Sequence, residues 1–339
     1  MNSTSPSNIS NNLTLKWLLP FKIILIISTV SLNLLIIYII KFMIKKKTYS
    51  NVIFLSKSIS DTVVGASSIS FMTILTCYGY WPLGFGLCVF WIVLDFSVCS
   101  ISIFNLLLIT WHRYQQLKNP FEVTEELTTF RWFKLILVWA CPFLFWLCSV
   151  VPIANHNLKD NDCIFSFVFT YVLIADLFLF ILPIVVLLFL NILTYRELRK
   201  KKKRMSTRFK SVNATILRNL MNTYVNENST TNSTNDESLE RTESKNTRTR
   251  KRMLNKDDKA VICLVSVSLL FFCCWIIFLV TWPLRASDCN CISEVLFEIG
   301  YWSAYICSTA YPVLLLIFHE TIKRKFLHIF HKKNQNVQT

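Results

Sequence analysis

The chain is 339 residues long, 53% apolar and only 17% charged, with a mean hydropathy of +0.45. That composition excludes an ordinary water-soluble protein of two domains. The formal net charge of +16 needs no nucleic-acid partner once the basic residues are placed along the chain, and no phosphate loop, metal-ligand spacing or nucleophile motif supports an enzyme, a cofactor or a bound metal.

Residues 1–17 form a short polar leader in which Asn2, Asn8 and Asn12 each open an Asn-x-Ser/Thr acceptor, expected to carry glycan outside the cell. No cleavable signal precedes the first apolar run, which reads as its own insertion signal. Crossing about 30 Å of hydrocarbon at about 1.5 Å per residue takes roughly 20 apolar residues. Seven stretches meet that length, at 18–43, 51–76, 87–112, 132–153, 166–195, 259–284 and 294–317. The fold class that follows is an all-α membrane protein, a bundle of seven transmembrane helices. The expected units are the leader 1–17, helices one to five over 18–195, a third cytoplasmic loop 196–257, helices six and seven over 258–317, and a tail 318–339.

Lysine and arginine fix the expected orientation, because short loops rich in them stay on the cytoplasmic side. Lys41, Lys45, Lys46 and Lys47 follow span one, Arg113, Lys118, Arg131 and Lys134 lie between spans three and four, and eighteen fall between Arg196 and Lys259. The loops between have none and one. The amino terminus is therefore expected outside and the carboxyl terminus inside, with the positive charge facing anionic lipid or an acidic cytoplasmic partner. Loop 196–257 is rich in Asn, Thr, Ser, Lys and Arg and is expected to be largely disordered at its centre, its ends continuing the adjoining helices. The acceptor sites at Asn213, Asn228 and Asn232 fall in it and should be empty. The tail "HETIKRKFLHIFHKK" places Ile322, Phe326, Ile329 and Phe330 on one face, an amphipathic helix on the inner membrane surface.

Most of the twelve cysteines lie inside spans, where a buried thiol acts as a small hydrophobe. Cys88, at the outer start of span three, and Cys163, in the outer loop before span five, are expected to be joined in that oxidising compartment. Cys289 and Cys291, in "DCNC", are candidates for a second, small bridge. Ionisable residues within spans are costly unless paired or facing a polar cavity, and the candidates are Lys57, Asp61, Asp95 and Asp176. Asp95 stands seven residues after Cys88, about 10 Å down the helix from the outer end. A lone carboxylate there suits a cationic amine, which would neutralise it where the dielectric is low. The other reading is an Asp bonded only to neighbouring helices.

At this point the residues resemble the class A, rhodopsin-like G-protein-coupled receptors, aminergic group. "WPLGFGLCVFWIVLDFSVCSISIFNLLLI" is similar to the third-helix region of histamine receptors of the third and fourth subtypes. Asn191 stands eight residues after Pro183 in "PIVVLLFLNILTYREL", as in those receptors. "IGYWSAYICST" resembles the seventh helix of muscarinic acetylcholine receptors. Asn33, Asp61, Arg113, Trp139 and Pro312 match signature positions of the class. The resemblance implies that Asp95 is the ammonium counter-ion, that Trp302 and Tyr305 close an aromatic wall around the cation, that Trp275 forms the floor, and that Phe96, Cys99 and Phe278 line the pocket. In the two histamine subtypes a glutamate of helix five reads the imidazole. Leu179 takes that position here, and Asp176 lies three residues earlier, about 60° around the helix and about 4.5 Å along it, within reach of a ligand with two basic or donor ends.

The chain departs from the family at its switch positions. Arg113 closes span three on the surface that receives the G protein in this family, but His112 stands where relatives have the aspartate that restrains the arginine, and a neutral imidazole supplies no fixed charge. Ile277 replaces the kinking proline of "CWxP", so helix six is expected to bend less. "YPVLL" replaces "NPxxY", putting Tyr311 and Leu315 around Pro312. Lys57, one turn before Asp61, can form an (i, i+4) ion pair with it, and should compete with the sodium ion that relatives hold there.

Three readings compete. The first is a receptor in the plasma membrane that couples a small cationic amine, histamine-like first and acetylcholine-like second, to a heterotrimeric G protein, favouring the inhibitory type. The second is a receptor-shaped amine-binding protein with little or no signalling. The third, a transporter or channel, would need broken helices, inverted repeats or a continuous charged path.

Overall fold

A computed structural model describes residues 18–45, 48–120, 123, 126–157, 163, 169–226, 234–287 and 291–335. Within them the chain is a bundle of helices, seven of them long and apolar enough to cross a membrane. They are α1 (Leu19–Met43), α2 (Tyr49–Tyr78), α3 (Phe85–Lys118), α4 (Thr129–Asn157), α5 (Phe169–Asp176 continuing through Leu177–Ile181 and Leu182–Asn226), α6 (Thr234–Ala286) and α7 (Glu294–Phe318), followed by a short α8 (Glu320–Gln335). An apolar medium offers the backbone no partners, so each crossing closes its own hydrogen bonds as a helix. Single π-helical turns interrupt α1 at Ile39–Met43, α2 at Val64–Ile69 and α5 at Leu177–Ile181. Gly79 (φ 75°) ends α2 in the left-handed conformation that glycine takes without a steric penalty.

Large apolar side chains such as Phe42, Phe130, Ile136, Phe189 and Val280 point outward, which is how a lipid-facing surface differs from a water-facing one. α3 sits at the centre, packed by α2, α4 and α5, and the ring closes through α5–α6, α6–α7 and α7–α1. Small polar groups tie the helices at close approach. Trp139 Nε1 donates to Ser56 Oγ (2.9 Å), Trp146 Nε1 to Ser100 Oγ (3.2 Å), Asn191 Nδ2 to Ser268 Oγ (2.7 Å) and Asn33 Nδ2 to the Ser308 carbonyl (3.0 Å). α6 and α7 touch backbone to backbone at Gly300, where an added Cβ would meet Phe278 N at 3.1 Å and Ile277 Cγ2 at 3.2 Å. Ser303 Oγ donates to the Cys274 carbonyl across the same seam (2.7 Å). Ile277 thus packs on α7, and the proline within α6 is Pro283, six residues further on.

In loop 196–257 the ends continue the adjoining helices, as far as Asn226 and again from Thr234, and the centre between them lies outside the described residues. The spans supply nucleated ends, and propagation then adds one hydrogen bond per residue fixed, over a sequence containing Glu–Lys pairs such as Lys200 to Glu197. Asn213 lies in that helix. Span four carries two internal prolines, Pro142 and Pro152, and remains helical through both. Cys88 and Cys163 are joined, with Cα atoms 5.7 Å apart, which ties the segment before α5 to the start of α3. Cys291 is disulfide-bonded, while Cys289, Asn2, Asn8, Asn12, Asn228 and Asn232 lie outside the described residues.

Candidate functional site

Asp95 sits on the buried face of α3, 3% exposed. Three neutral donors, two hydroxyls and a thiol, converge on it. The Tyr305 hydroxyl lies 3.1 Å from both carboxylate oxygens, the Tyr301 hydroxyl 3.2 Å from Oδ2, and the Cys99 thiol 3.9 Å from Oδ1. Tyr301 and Tyr305 are one helical turn apart on α7, which places both rings on one side. Aromatic rings close the surroundings. Phe96 stacks on Trp146 (4.5 Å) and Trp282 (5.1 Å), Phe278 meets Tyr301 edge-on (5.1 Å), and Trp275 stacks on Phe180 (4.8 Å) while meeting Phe278 edge-on (5.8 Å). The cavity between them is small, about 20 Å³, room for roughly one water molecule. A ligand larger than that needs lining side chains to move, and Tyr301 and Tyr305 are among them.

Among the sequence-predicted residues, Asp95, Phe96, Cys99, Trp275, Phe278 and Tyr305 line this cavity. Trp302 and Asp176 do not. The Trp302 ring lies outside that lining and carries the Lys22 ammonium 4.6 Å from its centroid. Asp176 is 1% exposed on α5, and neither of its carboxylate oxygens has a hydrogen-bond partner. It lies one turn before Phe180, the ring that stacks on Trp275. Tyr301 was missed: α7 is apolar on most sides in "IGYWSAYICST", so periodicity does not tell which of two adjacent aromatics faces inward. Its i, i+4 relation to Tyr305 was the available signal.

Deeper in the bundle, Lys57 (1% exposed) and Asp61 (0% exposed) form the expected (i, i+4) ion pair. The other carboxylate oxygen of Asp61 accepts from Ser102 (3.0 Å) and Ser308 (3.2 Å). Lys57 Nζ also lies 4.5 Å from the centroid of Tyr311, so the altered residue before Pro312 serves as a second partner for the same ammonium. The tyrosine hydroxyl itself is buried without a partner.

At the end of the bundle opposite the disulfide, Arg113 donates through Nη2 to Asp257 Oδ1 (2.6 Å) and through Nη1 to Gln116 Oε1 (3.3 Å). Asp257 also takes Lys201 of α5 (2.8 Å), so one carboxylate joins α3, α5 and α6. The sequence reading left the arginine without an acidic neighbour. Its partner lies on another helix, 144 residues away, where adjacency in sequence carries no signal. His112 is 4% exposed, packed edge-on against Tyr49 (4.9 Å) with its Nε2 3.2 Å from Gln116 Nε2. His319, at the α7–α8 junction, lines the same cavity of about 100 Å³ as Arg113 and His112. Its Nδ1 accepts the Ile322 backbone N–H (3.4 Å), and burial together with the Arg113 guanidinium pushes its pKa down to about 4. It is therefore neutral near pH 7.

Residues 32–315 match the family described as 7 transmembrane receptor (rhodopsin family). The chain belongs to that family. Its members are receptors rather than enzymes. Over 186 residues, 49% of the chain, it is 29% identical to the muscarinic acetylcholine receptor M2 of Gallus gallus, covering 39% of that receptor. Over 323 residues, 90% of the chain, it is 27% identical to the 5-hydroxytryptamine receptor 2C of Homo sapiens, covering 70% of it. The muscarinic acetylcholine receptor DM1 of Drosophila melanogaster is 31% identical over 188 residues, 52% of the chain and 23% of that receptor. The chain therefore spans well under two thirds of the muscarinic relatives it matches.

Proposed function

We propose that this chain is a plasma-membrane receptor for a small cationic amine, histamine-like first and acetylcholine-like second, with its amino terminus outside the cell. It passes binding to a heterotrimeric G protein, of the inhibitory type. The observation that carries the reading is the state of Asp95: a buried carboxylate among aromatic rings, hydrogen-bonded by neutral hydroxyls and a thiol and, among the described residues, in no salt bridge. An ammonium brought there meets a charge whose partners leave it uncompensated, in a medium that screens little, with ring faces on several sides. The names of the relatives, receptors for acetylcholine and for 5-hydroxytryptamine, support an amine. Asp176 favours an amine with a second basic or donor end, since its buried oxygens are unpartnered, which keeps histamine ahead of acetylcholine.

Signalling follows from coupling. An amine that displaces Tyr301 and Tyr305 from Asp95 loosens α7 against α3. A G protein that takes the opposite end must break Arg113 from Asp257. If both prefer the same rearranged bundle, each raises the affinity of the other. Nucleotide exchange on an inhibitory-type G protein, in membranes holding the chain, is expected to rise when histamine is added. Exchange that no amine in a panel changes, in membranes where amine binding is measured directly, would overturn the signalling reading.

A further inference from the structure

We propose that Lys22 and Trp302 form an anion-accepting subsite beside the Asp95 cavity, so that an amine which also carries a carboxylate binds more tightly than the same amine without it. The proposal rests on the reading of Asp95 as the ammonium site and adds the opposite pole.

Lys22 lies in the first turn of α1 and is 2% exposed, at the same end of the bundle as the disulfide. Its Nζ donates to Thr76 Oγ1 of α2 (2.8 Å) and stands 4.6 Å from the centroid of the Trp302 ring on α7. Among the described residues it forms no salt bridge. Glu298, one turn before Trp302, acts on it only through space. An ammonium has three N–H donors and no acceptor, and Thr76 takes one. The indole Nε1–H of Trp302 is likewise a donor only, and it is buried with no partner. The ammonium over the Trp302 ring and the unpartnered N–H at its edge therefore adjoin one side chain, with Glu298 acting on the ammonium only through space. Buried charges and donors are ordinarily paired, and the group that meets both needs is a carboxylate, whose two oxygens accept from two donors at once.

The subsite is adjacent to the first. The Trp302 ring meets Tyr305 edge-on with centroids 6.0 Å apart, and the Tyr305 hydroxyl donates to Asp95. A negative and a positive group are thus set apart by two aromatic rings on the inner side of α7. An amine alone engages the first, whereas a zwitterion engages both. A plain tie between helices, with Lys22 holding α1 to α2 and α7, predicts no preference among ligands.

The test uses the full chain in lipid nanodiscs and probes of known chemistry: ω-amino acids of four to eight carbons, each against the neutral ω-amino amide of the same length. Affinities are read from ligand-induced shifts in Tm. At the best length the amino acid is expected to bind about ten-fold or more tightly than its amide, the size of a charge-assisted bond. Lys22→Met and Trp302→Phe should each erase that advantage and leave the amide unchanged, while Lys22→Arg should keep it. Trp302→Phe keeps an aromatic face and removes the N–H together with the pyrrole ring, so loss of the acid's advantage with the amide's affinity kept tests the donor even if Lys22→Met fails to fold. Equal affinity of acid and amide at every length, or an advantage that survives Trp302→Phe, overturns the subsite. Asp95→Asn should weaken acid and amide alike; if the amides bind it as well as they bind wild type, the amine reading itself has failed, whatever Lys22 does.

Discussion

Two buried aspartates on facing helices have opposite electrical surroundings. Asp61 is held by the Lys57 ammonium and two serine hydroxyls, with Tyr311 covering the same ammonium. Asp95 is held by two tyrosine hydroxyls and a thiol. Both are almost completely buried, so burial does not separate them. What does is whether the chain supplies its own cation. Where it does, the carboxylate is structural and its charge is spent. Where it supplies only neutral donors, the charge stays uncompensated, which is the basis of the proposed amine site.

Substitutions sharpen the contrast. Lys57→Met removes the cation from Asp61 and leaves an uncompensated buried charge, expected to destabilise the protein by about 3–5 kcal/mol. Adding Asp61→Asn to it should restore much of that, a difference readable in the Tm of both variants. The same ammonium should make amine affinity of the wild type insensitive to sodium chloride when compared with a choline salt of equal ionic strength. A clear sodium effect on affinity, lost in Asp61→Asn, would show that Lys57 does not hold the site.

Asp257→Asn breaks a pair that is partly solvated, its side chains 20% and 16% exposed, so a smaller effect is expected, about 1–2 kcal/mol in favour of a freed Arg113. Basal nucleotide exchange should rise several-fold. No change in basal exchange would mean that Arg113 is not restrained by α6. The smallest effect concerns His319. Its folded pKa of about 4 lies below the usual 6.5, so the unfolded chain binds more protons between those values. Stability from this group is complete above pH 6.5 and falls as pH drops toward 4. His319→Phe should flatten the dependence of Tm on pH over that window.

The spans were legible because hydrocarbon demands long apolar runs. Lys57–Asp61 was legible because both partners lie on one helix, where spacing fixes geometry. The Arg113–Asp257 pair was not, since it depends on how α6 lies against α3. That Tyr301 and not Trp302 lines the Asp95 cavity was hidden for a related reason: in an apolar bundle the faces of α7 look alike, and which aromatic meets Asp95 depends on how α7 lies against α3. The continuation of α5 and α6 past the apolar spans was legible at their basic ends, because a preformed helix end lengthens at the gain of one hydrogen bond per residue.

Direct binding of a panel of biogenic amines to wild type and Asp95→Asn, both confirmed folded by Tm, bears on the centre of the account. At least one amine should bind wild type and lose two orders of magnitude or more in affinity, roughly the worth of a buried ion pair broken on one side. Amines that bind both proteins equally well would mean that the uncompensated carboxylate on α3 is not what the ligand meets.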